Sequence, residues 1–129
     1  MTGGMIIRDA HFPGRAPIDA YGNGGFRFAG MSHRGSILCL PSGIHGWEPA
    51  DPENLGEEDF ARVIAEAAEV EVLLVGMGRD LRRLPAALRQ ALRDAGLSSD
   101  PMSTGSAVRT YNVLLAEDRE VAAALVAVE

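Results

Sequence analysis

A short aliphatic run near the middle of the chain constrains the fold more than any other feature. Residues 71–75 are almost all apolar, and the run stops at Gly76, Met77 and Gly78. A run of this length that ends in glycines is typical of a buried strand entering a tight loop. Because helical patterns lie on both sides of it, we predict that residues 71–75 form the central strand of a β-α-β-α unit.

The first half of the chain has a different pattern, which predicts an antiparallel meander. Strand-like segments occur at 18–21, 26–29, 36–40 and 44–47. The first two are joined by residues 22–25, which are glycines and one asparagine and tolerate the positive φ angles of a tight hairpin. A second turn is predicted at 30–35. Residues 1–17 are loosely patterned, with a short strand predicted at 5–7 and a turn at 11–14.

Beyond residue 50 the apolar residues recur at helical spacing. One helix is predicted at 57–69, from the apolar stripe Phe60, Val63, Ile64, Ala67 and Ala68. Further helices are predicted from Pro85 to Gly96, from Thr104 onward and at 121–128. Residues 97–103 are predicted as an edge strand, because Pro101 lacks a backbone donor. Together these elements predict a three-layer α/β single domain over residues 1–129, with a mixed central sheet.

Composition and charge exclude several classes of function. The 129 residues fit one domain, and no apolar run approaches the ~20 residues of a membrane span. The net charge of −6 argues against nucleic acid or an anionic membrane as the main partner. No secretion-signal pattern opens the sequence, and Cys39 is the single cysteine, so we expect a cytoplasmic protein without an internal disulfide.

The charges are segregated along the chain. Residues 48–71 carry nine acidic side chains against one arginine, whereas residues 79–93 carry five arginines against one aspartate. We therefore expect the folded protein to present an acidic face and a basic face.

Two loops are predicted to meet at one edge of the sheet and to form the best candidate site. One follows strand 71–75 and the other follows residues 97–103, opening a helix at Thr104. If the two strands are parallel neighbours, both loops lie beyond their carboxyl ends, where α/β sheets bind ligands. Free N–H groups at the helix start, together with arginines, would attract an anion. The candidate ligand-binding residues are Gly76, Gly78, Arg79, Thr104, Arg109, Thr110 and Asn112.

The same residues have a structural alternative. Thr104 and Ser106 can simply cap the helix that they open, leaving the arginines solvated. Thr110 and Asn112 are poor helix formers within a helical pattern, so each needs a tertiary contact to explain it. That contact is either a cap on a neighbouring loop or an encounter with a ligand or partner.

Other chemistries have little support. In a dinucleotide fingerprint the third glycine would fall at Leu81, and the helix here begins only near Leu84, so the glycines do not open it. Neither His33 nor His45 is fixed beside Cys39 as a catalytic base, and the three histidines lack the spacing of metal ligands. We therefore assign no catalytic residue, no metal and no cofactor.

Several weak motifs occur in a fixed order between Ile18 and Val128. They are Tyr21-Gly22 with Gly25-Phe26, a strand ending in Pro41, Trp47, Gly76-Met77-Gly78, Thr104-x-x-Ala107-x-x-Thr110-x-Asn112-x-Leu114 and Glu117-x-Arg119. In this order the chain resembles a domain-of-unknown-function family that includes the mitochondrial respiratory complex I assembly factor 3 and an adipogenesis-associated protein with the same domain.

The resemblance implies a three-layer α/β fold with a mixed central sheet, and a role in assembling or chaperoning other proteins. The chain departs from the family pattern at two positions. Met77 stands where the family usually has a threonine, and Ser103 stands where an acid commonly precedes Thr104. Both changes remove polar groups from the edge of the candidate site, which weakens a catalytic interpretation.

The sequence thus predicts an assembly-factor-like interaction module more than an enzyme. Its partners would be other proteins, including a membrane-associated complex, and its docking faces would be the acidic helix 57–69 and the arginine-bearing segment 79–93. The alternative is a protein or enzyme that binds a small anionic metabolite at the loops around Gly78 and Thr104. Self-association through an exposed strand edge is a third option.

Overall fold

A computed structural model describes residues 12–129, which form eight strands, three α-helices and three short 3-10 turns. The strands are β1 (Ile18–Gly22), β2 (Gly25–Phe28), β3 (Met31–Arg34), β4 (Ser36–Leu40), β5 (Gly43–Trp47), β6 (Val72–Gly76), β7 (Ser99–Met102) and β8 (Val121–Leu125). The helices are α1 (Ala61–Ala65), α2 (Ala86–Asp94) and α3 (Thr104–Ala116), and the 3-10 turns are Pro52–Asn54, Glu57–Phe60 and Ala67–Glu69. The strand predicted at 5–7 and the first residue of the turn predicted at 11–14 lie outside the described residues.

The strands form two sheets. β1, β2 and β3 make a three-stranded antiparallel meander, and the other five pair in the order β5-β4-β8-β6-β7. Within the larger sheet, β4 is antiparallel to β5 and β8, whereas β6 is parallel to both β7 and β8. The predicted mixed α/β domain with an antiparallel start and a β-α-β-α unit is confirmed.

The larger sheet separates two apolar cores, which gives the domain its three layers. On one side, alternate residues of the strands such as Leu73 and Val75 pack with Phe60 and with Leu88 and Leu92 of α2. On the other side, the intervening residues such as Leu74 pack with α3 and with the buried phenylalanines of β2. This alternation is the period of two expected of strands that are covered on both faces.

Two tight hairpins build the meander. Asn23 and Gly24 both have positive φ, as do Ala29 and Gly30, so each two-residue turn has the φ signs of type I′. The hairpin predicted at residues 22–25 is therefore confirmed. The turn predicted at 30–35 is wrong, because β3 occupies Met31–Arg34. The second turn carries an alanine at a position where glycine or asparagine usually stands, which hid the strand that follows it.

The predicted helix at 121–128 is also wrong. Residues Val121–Leu125 form β8, which lies in the middle of the sheet between β4 and β6 and is buried throughout. Its alanines alternate between the two cores, with Ala122 and Ala124 on one side and Ala123 on the other. A short segment buried on both faces has no polar side to reveal its period, so helix and strand cannot be separated by periodicity.

Two further details differ from the prediction. The strand at 71–75 lies inside the sheet as β6, but β8 rather than β6 holds the middle position. The helix predicted at 57–69 is broken into a 3-10 turn, the five-residue α1 and another 3-10 turn. Of the predicted apolar stripe, Phe60 and Val63 are buried and Ile64 and Ala67 are partly buried, but Ala68 is exposed, so the predicted packing is confirmed only in part. Among residues 12–129, no helix combines the length and the apolar character needed to cross a membrane.

Candidate functional site

The loops after β6 and β7 meet, as their predicted parallel pairing requires. The backbone N–H of Thr104 donates to the Gly78 carbonyl at 2.7 Å, and the Gly78 N–H donates to Thr104 Oγ1 at 3.0 Å. The Met77 N–H donates to the Met102 carbonyl at 2.8 Å. The structure therefore brings Gly78 and the start of α3 together at the carboxyl edge of the sheet.

Thr104 fills the junction that it forms. Its side chain is fully buried, and its hydroxyl donates to the Val126 carbonyl at 2.7 Å while accepting from Gly78. The Gly76 backbone is equally close: a Cβ there would lie 3.0 Å from Thr104 Cα and 3.0 Å from Leu125 Cδ2. The crevice at the carboxyl ends of β6 and β8, the edge at which α/β sheets usually bind ligands, is thus occupied by the protein's own threonine.

An open cleft of about 350 Å³ lies on the other side of Gly78. Arg79 and Arg82 line it together with Asp80 and Glu129, so positive and negative side chains are mixed. Arg82 is already paired with Glu53, with Nη1 and Oε2 2.9 Å apart. Positive φ at Gly78 (+99°) lets the backbone turn out of the sheet here, which shapes the mouth of the cleft.

Three of the four predicted site residues on α3 lie away from this cleft. Asn112 pairs with the edge of β1, its Oδ1 accepting from the Ile18 N–H at 2.8 Å and its Nδ2 donating to the Ile18 carbonyl at 2.9 Å. Arg109 is exposed and lies 3.5 Å from Ser106 Oγ, while Thr110 is half-buried. Of the two explanations for Asn112, the bonds to Ile18 match the cap on a neighbouring segment.

The start of α3 carries an ordinary side-chain cap. Ser103 is the N-cap residue, and its Oγ accepts from the Ser106 N–H at 3.3 Å. Gly105 has a separate role: a Cβ there would overlap the Tyr21 hydroxyl, so the glycine lets Tyr21 lie across the first turn. These contacts stabilise the first turn of the helix and attach it to β1.

Cys39 lies in the apolar core between the larger sheet and α3. The thiol is fully buried, and this burial raises the pKa of Cys39 to about 12, although a hydrogen bond with the Tyr111 side chain opposes the shift. Burial also raises the pKa of Tyr111 above its ordinary value, and the Tyr111 hydroxyl donates to the Ala16 carbonyl at 3.2 Å. A thiol held protonated in an apolar core is a poor nucleophile.

A polar cluster that the sequence did not suggest joins Ser42, His45 and Glu66. Ser42 Oγ lies 2.8 Å from His45 Nε2 and donates to Glu66 Oε2 at 2.6 Å, while the Ser42 N–H donates to Glu66 Oε1 at 3.0 Å. In a hydrolytic triad the histidine must accept the serine proton. Here the Ser42 hydroxyl donates its hydrogen bond to the Glu66 carboxylate instead. The cluster therefore fastens the β4–β5 turn to the helical segment. The 24-residue separation of Ser42 and Glu66 hid the pairing from any local motif.

The segment between β6 and α2 leaves one large apolar side chain in solvent. Its buried ends are Met77 and Leu84, yet Leu81 between them is 72% exposed. Arg79, Arg82 and Arg83 are exposed beside it, and we call residues 79–83 the basic loop. The sequence indicated the arginines but not the exposure of Leu81, because its apolar character alone predicts burial.

Three comparisons with known proteins bear on this chain. A family model described as a protein of unknown function (DUF498/DUF598) matches residues 18–126. An uncharacterised protein from Rhodobacter capsulatus is 45% identical over 94% of this chain and 92% of its own length. A crystal structure of an outer membrane protein from Bartonella henselae has 64% identity and a TM-score of 0.88, covering 92% of this chain and 99% of that one.

A more distant relative has a named role. The mouse NADH dehydrogenase [ubiquinone] 1 alpha subcomplex assembly factor 3 is 30% identical over 122 residues, which are 95% of this chain. The match spans 66% of the length of the mouse protein, so about a third of that protein has no counterpart in it.

Proposed function

Because this chain belongs to the DUF498/DUF598 family of proteins of unknown function, we propose that it is a protein-binding module that helps to assemble a larger complex. Support comes from its mouse relative, which is an assembly factor for NADH dehydrogenase. The proposed partners are other proteins, including those of a membrane-associated complex, and the proposed place of action is the cytoplasm. Its single cysteine cannot form an internal disulfide, which suits a reducing compartment.

The exposed Leu81 within the basic loop carries this proposal. Fully burying a leucine contributes about 1.5–3 kcal/mol, and the loop forgoes that gain although Met77 and Leu84 beside it are buried. Among the described residues, Arg79 and Arg83 form no ion pair, so their charges remain available. An apolar side chain with two unpaired guanidinium groups beside it fits a partner surface that is apolar at its centre and acidic at its rim.

The acidic segment supplies a second docking face. Glu57 and Glu58 are exposed in the 3-10 turn directly before α1, and they lie away from the core that Phe60 and Val63 fill. The acidic and basic segments touch at the Arg82–Glu53 pair. We propose that a partner contacts the basic loop first, since long-range attraction to an acidic surface raises the association rate.

The test is affinity purification from the native cell with the double variant Arg82→Glu and Arg83→Glu. We expect the unchanged protein to retain a reproducible partner and the variant to bind it at least about tenfold more weakly. The matched control is Arg15→Glu with Arg109→Glu, which makes the same charge change outside the basic loop and the acidic segment and should keep the partner. Recovery of no partner by the unchanged protein, or equal loss in both variants, would overturn the proposal.

A second candidate function is binding of a small anionic metabolite at the cleft beside Gly78. The cleft volume of about 350 Å³ is adequate for a small molecule, and Arg79 supplies a positive charge at its mouth. Gly76 and Thr104 would support the wall of the cleft, and the α3 residues Arg109, Thr110 and Asn112, which lie away from it, would not touch the ligand. Phosphorylated and carboxylated metabolites should then raise the melting temperature, and Arg79→Ala should abolish the rise. A panel without any such shift would exclude this function.

A further inference from the structure

A second cleft, of about 390 Å³, lies on the three-stranded sheet and away from the basic loop. The register pairs Arg27 of β2 with Ala20 of β1 and with Ser32 of β3. Directly paired residues point to the same face of a sheet, and this face is opposite the buried Phe26 and Phe28. The cleft therefore lies on the outer face of the meander.

Bare backbone forms the floor of this cleft. Gly22 and Gly25 pair across the first hairpin, and both line the cleft. A Cβ on Gly25 would overlap the His33 carbonyl, and Gly22 has a φ of +129°, which L-residues with side chains rarely adopt. Neither glycine position can therefore readily carry a side chain that would fill the floor of the cleft.

The walls concentrate positive charge. Arg34 pairs with Gly25, so it lies diagonally across the strands from Arg27 on the same face, at a spacing of about 7–8 Å between such positions. Neither arginine forms an ion pair with a carboxylate among residues 12–129, although Asp19 and Glu129 are in the neighbourhood. Two unpaired like charges side by side on a sheet repel each other, and an anion bound between them removes that cost.

We propose that this cleft binds a phosphate monoester group. Guanidinium groups form paired hydrogen bonds with phosphate oxygens, and both arginines line the cleft next to its glycine floor. The Ser32 hydroxyl and the Asn23 amide, which also line the cleft, supply neutral donors. The phosphate could belong to a free metabolite or to a phosphorylated side chain of a partner, and the chemistry recognised is the same. The site is separate from the basic loop and does not depend on the protein-docking role.

Amide chemical shifts of the full chain, titrated at low salt, provide the test. The probes are inorganic phosphate, glycerol 3-phosphate and O-phosphoserine, with acetate as a monoanion for comparison. We expect saturable shifts at Asn23, Ser32 and Arg34 with a dissociation constant below about 1 mM for at least one phosphate, and none for acetate. A preference for glycerol 3-phosphate indicates a metabolite, and a preference for O-phosphoserine indicates a modified partner.

Variants decide whether the arginines are responsible. Arg27→Gln with Arg34→Gln should weaken binding at least about tenfold, and Arg34→Lys alone should weaken it less, since it keeps the charge but loses the planar fork. Arg82→Gln with Arg83→Gln removes the same charge from the basic loop and should leave phosphate binding unchanged. The proposal is overturned if no probe saturates, if shifts are confined to the residues around Gly78, or if the Arg27/Arg34 variant binds as well as the unchanged chain.

Discussion

At the scale of single residues, the Thr104 hydroxyl matters because it connects two separate segments of the fold. It links the loop after β6 to the segment after β8, through Gly78 and Val126. Replacing it with valine keeps the shape but leaves one buried N–H and one buried carbonyl unpaired. We predict that Thr104→Val lowers the free energy of unfolding by about 2–4 kcal/mol, measured by urea denaturation.

Thr104→Ser is the matched control for this prediction. Serine retains the hydroxyl and loses one methyl group, so it should cost only about 1 kcal/mol. Equal losses for valine and serine would mean that packing, and not the two hydrogen bonds, makes this position important.

A second prediction at this scale concerns Cys39 and alkaline pH. The pKa of Cys39 is raised by burial from 9.0 to about 12, so the unfolded chain loses the thiol proton at a lower pH than the folded chain does. The folded state is therefore favoured fully below pH 9, and this contribution is lost as the pH rises toward about 12. We predict that the free energy of unfolding falls over this range, and that it falls less steeply in Cys39→Ala.

The slope of the free energy of unfolding against pH separates titration of the thiol from the packing that the alanine variant loses, because lost packing lowers stability equally at every pH. Tyr111 remains in both proteins, and its raised pKa contributes an alkaline decline to each. Parallel curves for the two proteins would show that the thiol does not titrate differently in the folded and unfolded chains.

At the scale of elements, the Asn112 side chain links α3 to the meander by hydrogen bonds. Asn112 satisfies both outward-facing backbone groups of Ile18, which lies on the open side of β1. We predict that Asn112→Leu destabilises the protein by about 1–3 kcal/mol and accelerates hydrogen exchange of the Ile18 amide. Asn112→Asp keeps the acceptor and loses the donor, so protection of that amide should be largely retained. Unchanged exchange in the leucine variant would show that β1 is held by other contacts.

The elements also show which parts of the fold the sequence can reveal. β6 was predictable as a continuous apolar run that stops at glycines, and α2 and α3 were predictable because their apolar residues recur at helical spacing, with Pro85 before α2 and Gly96 after it. β8 was not, because Val121–Leu125 is buried on both faces and carries no polar alternation. β3 was not predicted because the turn before it places Ala29 at a positive φ, a conformation that alanine rarely adopts and that its sequence therefore does not signal.

The candidate site shows the same division between local and distant information. The meeting of Gly78 with Thr104 followed from parallel strand order, which local patterns and topology rules supply. That Thr104 would fill the crevice depended on Val126, which stands beyond a strand predicted as a helix. The exposure of Leu81 likewise depends on how the loop is placed against the rest of the fold, and no local sequence pattern predicts that placement.

At the scale of the whole molecule, the larger sheet must avoid pairing with other copies along its two edges. The β5 edge is partly covered, since Phe12 and Ile44 exchange backbone hydrogen bonds at 2.9 and 3.1 Å. The β7 edge is protected differently. The Ser98 and Met102 carbonyls accept backbone hydrogen bonds from β6 and from the loop that follows it. The backbone groups of the even-numbered residues of β7 therefore point toward β6, and the backbone nitrogen of Pro101 points away from the sheet. An outward-facing proline removes the donor that an incoming strand would need.

This arrangement gives a prediction about self-association. Pro101→Val restores an outward N–H next to that of Ser99, and we expect two copies to pair through β7, giving concentration-dependent association in sedimentation or light scattering. Pro49→Val, a proline replaced in the loop after β5, is the control and should leave the mass unchanged. If Pro101→Val associates no more than the control, the short length of β7 already protects the edge. If the unchanged chain associates to the same extent, its self-contact lies on another strand edge. The edge of β3 at Ser32 and Arg34 would then be tested next.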